Sequence, residues 1–105
     1  MEIVFKTGNM KKECEDRKKL ASQYGDQQAK KIMIRINELY AAQNLNDIWK
    51  LPQVKMHALS GKLKGHFALS VKDPYRMIIY PLNGNTADLK TVTKIQINKP
   101  CHDYH

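Results

Sequence analysis

Between Asp26 and Ala42 the apolar side chains Ala29, Ile32, Met33, Ile36, Leu39, Tyr40 and Ala42 return at the i, i+3, i+4, i+7 spacing of one helix face. The pattern predicts an amphipathic helix with that face buried, and Asp26 stands where its N-cap belongs. Upstream, residues 10 to 24 are good helix formers without Gly or Pro, and Gly25 follows where a left-handed C-terminal cap fits. A first helix is therefore expected from Met10 to Tyr24. Its link to the second, Gly25-Asp26, is so short that the two should pack as an antiparallel hairpin. Ahead of them Ile3-Val4-Phe5 is a β-branched and aromatic run broken by Thr7-Gly8-Asn9, which predicts a strand over residues 2 to 6.

The period changes in the second half. Asn44, Asn46, Pro52, Gly61 and Gly65 interrupt any repeat between residues 43 and 65, so that stretch reads as an ordered loop anchored by Ile48, Trp49, Leu51 and Leu59. Phe67, Leu69 and Val71 then alternate with Ala68, Ser70 and Lys72, and Asp73-Pro74 turns the chain into Tyr75 to Tyr80, which predicts a two-stranded hairpin. Asn83-Gly84-Asn85 marks another turn, and Val92 to Asn98 alternates again with Ile95 and Ile97 on one face. Pro100 is expected to end regular pairing and leave residues 101 to 105 as a tail. The order β-α-α-β-β-β predicts a small two-layer α+β domain, with the helical hairpin packed on one face of a mainly antiparallel sheet and the other face or an edge open to a ligand.

Composition narrows the function. With 105 residues, 42% of them hydrophobic, the chain supports one core, so residues 1 to 105 are expected to form a single domain and a large multidomain enzyme is excluded. The longest apolar stretches are as short as Met77 to Tyr80, far below the about 20 residues of a membrane span. The opening Met1-Glu2-Ile3-Val4-Phe5 meets charge at Lys6, unlike a signal peptide, so a cytoplasmic protein with no membrane partner is expected. Cys14 and Cys101 are too few for a disulfide framework and read as reduced thiols.

Eighteen Lys and Arg against ten Asp and Glu give a formal net charge of +8, which favours polyanion partners, nucleic acid first. The excess is local. Residues 48 to 72 hold Lys50, Lys55, Lys62, Lys64 and Lys72 and no acid, whereas residues 1 to 40 mix nine bases with six acids at helical spacings such as Arg35 with Glu38, the pattern of solvated helix surface. A membrane-surface helix is not supported, because residues 10 to 24 offer only a thin apolar stripe.

All four histidines, His57, His66, His102 and His105, fall in this basic half. Cleaving RNA without a metal takes a base for the 2′-hydroxyl proton, an acid for the leaving 5′-oxygen and cations for the charged phosphorane. Histidine, with a reference pKa of about 6.5, serves either proton role at neutral pH. His57 and His105 are candidates to divide the proton transfers, Arg76 to hold the phosphate, Tyr104 to stack on a base or donate a hydrogen bond, and Asp103 to orient a histidine or a nucleotide edge. Lys55, Lys62, Lys64 and His66 are candidate RNA contacts around them. Each has a plainer alternative, since chain ends fray and a strand arginine is often a solvated ion-pair partner. Cys101, His102 and His105 lack the paired spacing of a zinc site, and Gly61-Lys62 with Gly65 lacks the rest of a phosphate loop, so neither metal nor cofactor is expected.

His57-Ala58-Leu59-Ser60-Gly61-Lys62-Leu63-Lys64-Gly65-His66-Phe67-Ala68-Leu69-Ser70-Val71, then Tyr75-Arg76-Met77-Ile78-Ile79-Tyr80, then the final Asp103-Tyr104-His105, resemble the RelE/HigB toxins of bacterial toxin–antitoxin systems, also called plasmid maintenance killer proteins. The HigB branch commonly shows HxLxGxxxGxxxxxV, WRxxF or a variant, and a terminal DYH. The clear match covers roughly a third of the chain, the preceding strand and helices agreeing in order and length. The resemblance implies a ribosome-dependent endoribonuclease that cuts mRNA in the decoding site by 2′-hydroxyl attack without a metal. It also implies inhibition by a cognate HigA-like helix-turn-helix antitoxin, with operator DNA met only through that complex. By position it implies His57, Arg76, Asp103, Tyr104 and His105 as the site residues. Two departures stand out: Ser60 where many relatives carry Lys, a charge Lys62 and Lys64 are placed to replace, and Tyr75 where Trp is frequent. The competing expectations are a non-catalytic basic RNA- or ribosome-binding module and a protein whose main task is to pair with a DNA-binding partner.

Overall fold

The computed structural model describes residues 1 to 103. Strand β1 (Glu2–Phe5) leads into helices α1 (Gly8–Cys14), α2 (Arg17–Tyr24), α3 (Asp26–Ala41) and the short α4 (Leu45–Trp49). The two-residue β2 (His57–Ala58), the hairpin β3 (Phe67–Ser70) and β4 (Tyr75–Pro81), and the long β5 (Lys94–Asp103) follow, with tight helical turns at Gly61–Leu63 and Leu89–Thr91. The five strands make one sheet in the order β1-β5-β4-β3-β2, parallel at the β1–β5 pair and antiparallel elsewhere. The expected α+β architecture is present. Leu20, Ala29, Ile32, Ile36 and Leu39 of the helices meet Leu69, Met77, Ile79, Ile95 and Ile97 of the sheet in one core. Among the described residues, no helix is long and apolar enough to cross a membrane.

Several elements differ from the pattern. The first helix is two, because Asp16 leaves the helix in extended geometry and accepts from Lys18 and Lys19 N–H at 2.9 and 3.3 Å, restarting the chain as α2. Gly25, at φ +88°, is both the C-cap of α2 and the N-cap of α3, so Asp26 enters the first turn rather than the cap. The expected loop contains α4, whose Asn44 side chain accepts from Asp47 N–H at 3.2 Å, and β2. Tyr40 points outward at 52% exposure instead of joining the buried face of α3.

Two polar residues take its place in that face. Arg35, 4% exposed, donates from Nε to the Ser70 carbonyl at 2.6 Å, from Nη2 to the Gln53 carbonyl at 3.0 Å and from Nη1 to Glu38 Oε1 at 2.7 Å. Gln28 exchanges hydrogen bonds with the Lys72 backbone, donating at 3.1 Å and accepting at 2.8 Å. The Arg35–Glu38 pair is thus not the solvated surface its spacing suggests. It bolts α3 to the end of β3 and to the segment that leads into β2.

The largest departure is at Pro100, which does not end the strand. Arg76 faces His102, Ile78 faces Lys99 and Ile79 faces Ile97, so β5 carries extra residues at Pro100-Cys101 and at Asn98. These bulges give the proline, which has no N–H to offer a ladder, a place where none is needed. Pairing resumes and reaches Tyr75 opposite Asp103.

Candidate functional site

The helices cover one face of the sheet, and strand alternation defines what the other face carries. Pairing places His57 opposite Ala68, Ala68 opposite Ile78 and Ile78 opposite Lys99, one row across four strands. A second row runs Ser70, Arg76, His102. A third joins Tyr80 to Gln96, with His66 beside Tyr80 at a ring-centroid distance of 4.8 Å. The middle of this face is small or apolar, from Ala68, Ser70 and Ile78, all three of them buried, and its accessible rim is cationic or aromatic. Ordinary strand spacing puts the backbones of His57 and Arg76 about 12 Å apart on the same side, within joint reach of one phosphodiester and its neighbours.

Local structure orients these groups. Lys55 adopts φ +49°, a conformation that costs an L-residue roughly 1 to 2 kcal/mol, and its carbonyl lies 3.2 Å from His57 Nδ1. A carbonyl only accepts, so Nδ1 carries the proton and Nε2 is the basic nitrogen of the ring. The same logic fixes His66, whose Nδ1 lies 3.1 Å from the Leu63 carbonyl. Arg76 Nη1 donates to Asp73 Oδ1 at 3.0 Å and to the Tyr75 carbonyl at 2.8 Å, which turns its guanidinium toward the β3–β4 turn. Lys99 Nζ stands 3.5 Å from His102 Nδ1. Lys62 and Lys64 are exposed on the tight helical turn Gly61–Leu63 and the residue after it, next to His66.

The expected site residues therefore divide. His57, His66 and Arg76 share the open face, with Lys55, Lys62 and Lys64 on its β2 side. Asp103 does not join them: opposite Tyr75, it falls on the helix side, lining a groove of about 330 Å³ with Gln23, Tyr24, Gln28, Tyr75 and Cys101. Burial, then the Asp103 carboxylate, pushes the Cys101 thiol up to about 11, and burial with the flanking glutamates pushes Cys14 up to about 12. Tyr24 is also shifted upward, by burial first and then by Glu13. Protonated thiols are poor nucleophiles, so neither cysteine contributes covalent chemistry at neutral pH. Tyr104 and His105 lie outside the described residues.

Lys99, His102 and Tyr80 were not singled out from the sequence as members of this site. Lys99 and His102 are three apart, which in a regular strand puts them on opposite faces; the bulge at Pro100-Cys101 returns both to the same one. Their detectable sign was the proline itself, inside an otherwise strand-like run.

Comparison with known proteins adds identity to this geometry. The profile described as RelE-like toxin of type II toxin-antitoxin system HigB matches residues 4 to 92. The fold superposes on a chain of the YoeB-YefM complex from Staphylococcus aureus with a TM-score of 0.58, over 100% of this chain and 97% of that one, at 16% identity. No curated protein sequence matches the chain.

Proposed function

The chain belongs to the HigB-like family of RelE-like toxins of type II toxin–antitoxin systems. From that membership and the charged open face of the sheet, we propose that it enters the decoding site of the ribosome in the cytoplasm, cuts mRNA there and is neutralised by a cognate antitoxin. Such toxins are generally endoribonucleases, and the fold neighbour comes from a complex of the same two-component kind. The observation that carries the reading is the shared face of His57 and Arg76, with Lys55, Lys62, Lys64 and His66 around it.

The chemistry asks for no group beyond this chain's side chains. His57 Nε2, set by the Lys55 carbonyl, takes the 2′-hydroxyl proton as the oxygen attacks phosphorus. The leaving 5′-oxygen takes a proton from His105, leaving a 2′,3′-cyclic phosphate and a free 5′-hydroxyl. Arg76, its Nη1 held by Asp73 and the Tyr75 carbonyl, gathers the charge of the phosphorane through Nε and Nη2, and the lysines hold the flanking phosphates. The resemblance gives Tyr104 the positioning of the nucleotide, and it gives Asp103 the same task, which from the helix side of the sheet Asp103 can serve only indirectly. The antitoxin is expected to be a helix-turn-helix protein, through which the pair reaches operator DNA.

The test is to map mRNA 5′ ends on translating ribosomes after adding purified protein, beside His57→Ala and a variant lacking residues 103 to 105. New ends in decoding-site codons that fall about 100-fold or more in each variant support the assignment. Ribosome binding without new ends overturns it in favour of a non-catalytic RNA- or ribosome-binding module.

A further inference from the structure

The third row of the open face carries a feature the cleavage scheme does not use. Tyr80 is 39% exposed and sits one row from His57 and Lys99, about 7 Å along the strands. Its ring is held from two sides. Gly65, at φ +91°, lies so close beneath that a Cβ there would stand 3.3 Å from Tyr80 Cε1, and the His66 ring meets Tyr80 at 4.8 Å with an interplanar angle of 54°. His66 is in turn fixed by the Leu63 carbonyl. Such an aromatic, oriented before any ligand arrives, loses little entropy when something flat stacks on it.

Beyond Tyr80 opens a groove of about 560 Å³, bordered by Gly65 and the loop from Pro81 to Thr86. Its amides are engaged in the loop itself. Asn83 Oδ1 accepts from Thr93 and Lys94 N–H and its Nδ2 donates to Thr93, while Asn85 Oδ1 accepts from Ala87 N–H. The groove thus offers shape and an aromatic surface rather than a pattern of donors and acceptors for one base. Lys62 and Lys64 are exposed close by, in a stretch of chain without acids.

We propose that Tyr80, braced by Gly65 and His66, is a stacking platform for the base of the nucleotide next to the cleaved one, whose sugar and phosphate lie in the groove toward Asn83–Thr86. The inference rests on the reading of the open face as an RNA surface, and it makes Tyr80 a positioning residue with little base selectivity.

A short single-stranded RNA with a 2′-deoxy residue at the central position resists 2′-hydroxyl attack, and 2-aminopurine beside that residue reports stacking by quenching. The wild-type protein is expected to quench it, Tyr80→Leu to bind about tenfold more weakly with the quench lost, and Tyr80→Phe to behave as wild type. Thermal melting of each variant reports folding. Absence of quenching by the wild type, Tyr80→Leu binding within about twofold of wild type, or Tyr80→Phe losing as much as Tyr80→Leu overturns the platform. Quenching that depends on Tyr80 with no cleavage on ribosomes leaves the platform standing and removes the nuclease. Ribosomal cleavage with binding indifferent to Tyr80 does the reverse.

Discussion

Replacing Arg35 by Ala tests how the open face is held in shape. The side chain is 4% exposed and joins α3 to Ser70 of β3 and to Gln53, four residues before His57. On its removal Glu38, 21% exposed, and the carbonyl of the exposed Gln53 recover water, so these two bonds cost little. The Ser70 carbonyl is buried and loses a charge-assisted partner, a penalty of about 1 to 3 kcal/mol. Loss of the buried methylene stem adds about 2 kcal/mol. The sum, about 3 to 5 kcal/mol, is also what breaking a buried charge pair by removing one member costs. In a domain of this size that lowers Tm by roughly 15 to 30 °C. Urea unfolding followed by circular dichroism measures it, with Arg35→Met, which keeps the stem, expected to lose only the polar part. Because the Gln53 tie steadies the approach to His57, the cleavage rate should fall further than RNA affinity. A loss below about 1 kcal/mol for Arg35→Ala would show that the side chain is solvated, as the Arg35–Glu38 spacing first suggests.

Gly84→Ala should cost about 2 kcal/mol or more in the same assay, since its φ is +72° and the new Cβ would stand 2.3 Å from the Thr91 carbonyl oxygen, whereas Gly25→Ala, at φ +88° with open space around it, should cost about 1 kcal/mol; equal losses would refute the clash. The thiols give a pH dependence. Folding raises Cys14 from 9.0 to about 12 and Cys101 to about 11, so between those values the folded state keeps protons the unfolded chain releases. That contribution is complete below about pH 9 and lost as pH rises through 11 to 12, so the urea midpoint should fall across this window, and less steeply in Cys14→Ala; alkylation of the native protein at pH 8 at the rate of a free cysteine peptide would contradict it. Lys62→Ala with Lys64→Ala should weaken RNA binding without regard to sequence and lower the salt dependence by about two phosphate contacts, while leaving Tm within a degree or two; an unchanged salt slope would remove them from the interface.

What the sequence disclosed follows from how local each cause is. The alternation through Phe67–Val71, Tyr75–Tyr80 and Ile95–Ile97 needs only neighbours, and the strands lie where it puts them. The break at Asp16 was hidden, because an Asp among helix formers has the same composition as a cap or as a surface residue, and only its extended backbone tells them apart. At β5 the cause is two-stranded. Extra residues at Asn98 and Pro100-Cys101 exist only relative to β4, so no period in one strand announces that Lys99 and His102 end on the face of His57 while Asp103 ends on the other.

The buried polar pair of α3 is different, because it had a signal. Gln28, Ile32, Arg35 and Leu39 stand at i, i+4, i+7 and i+11, one straight stripe along the helix, and its two apolar members are fully buried. A polar side chain between buried neighbours on such a stripe is buried with them, and must then find partners beyond its own helix. Gln28 finds the Lys72 backbone and Arg35 the carbonyls of Ser70 and Gln53, all on the chain that leaves or approaches the open face. The helix that packs the core thereby also sets where β3 ends and where the segment carrying His57 begins. Substitutions at Gln28 or Arg35, remote from any RNA, should therefore lower the cleavage rate through those two ties beyond what their loss of stability accounts for.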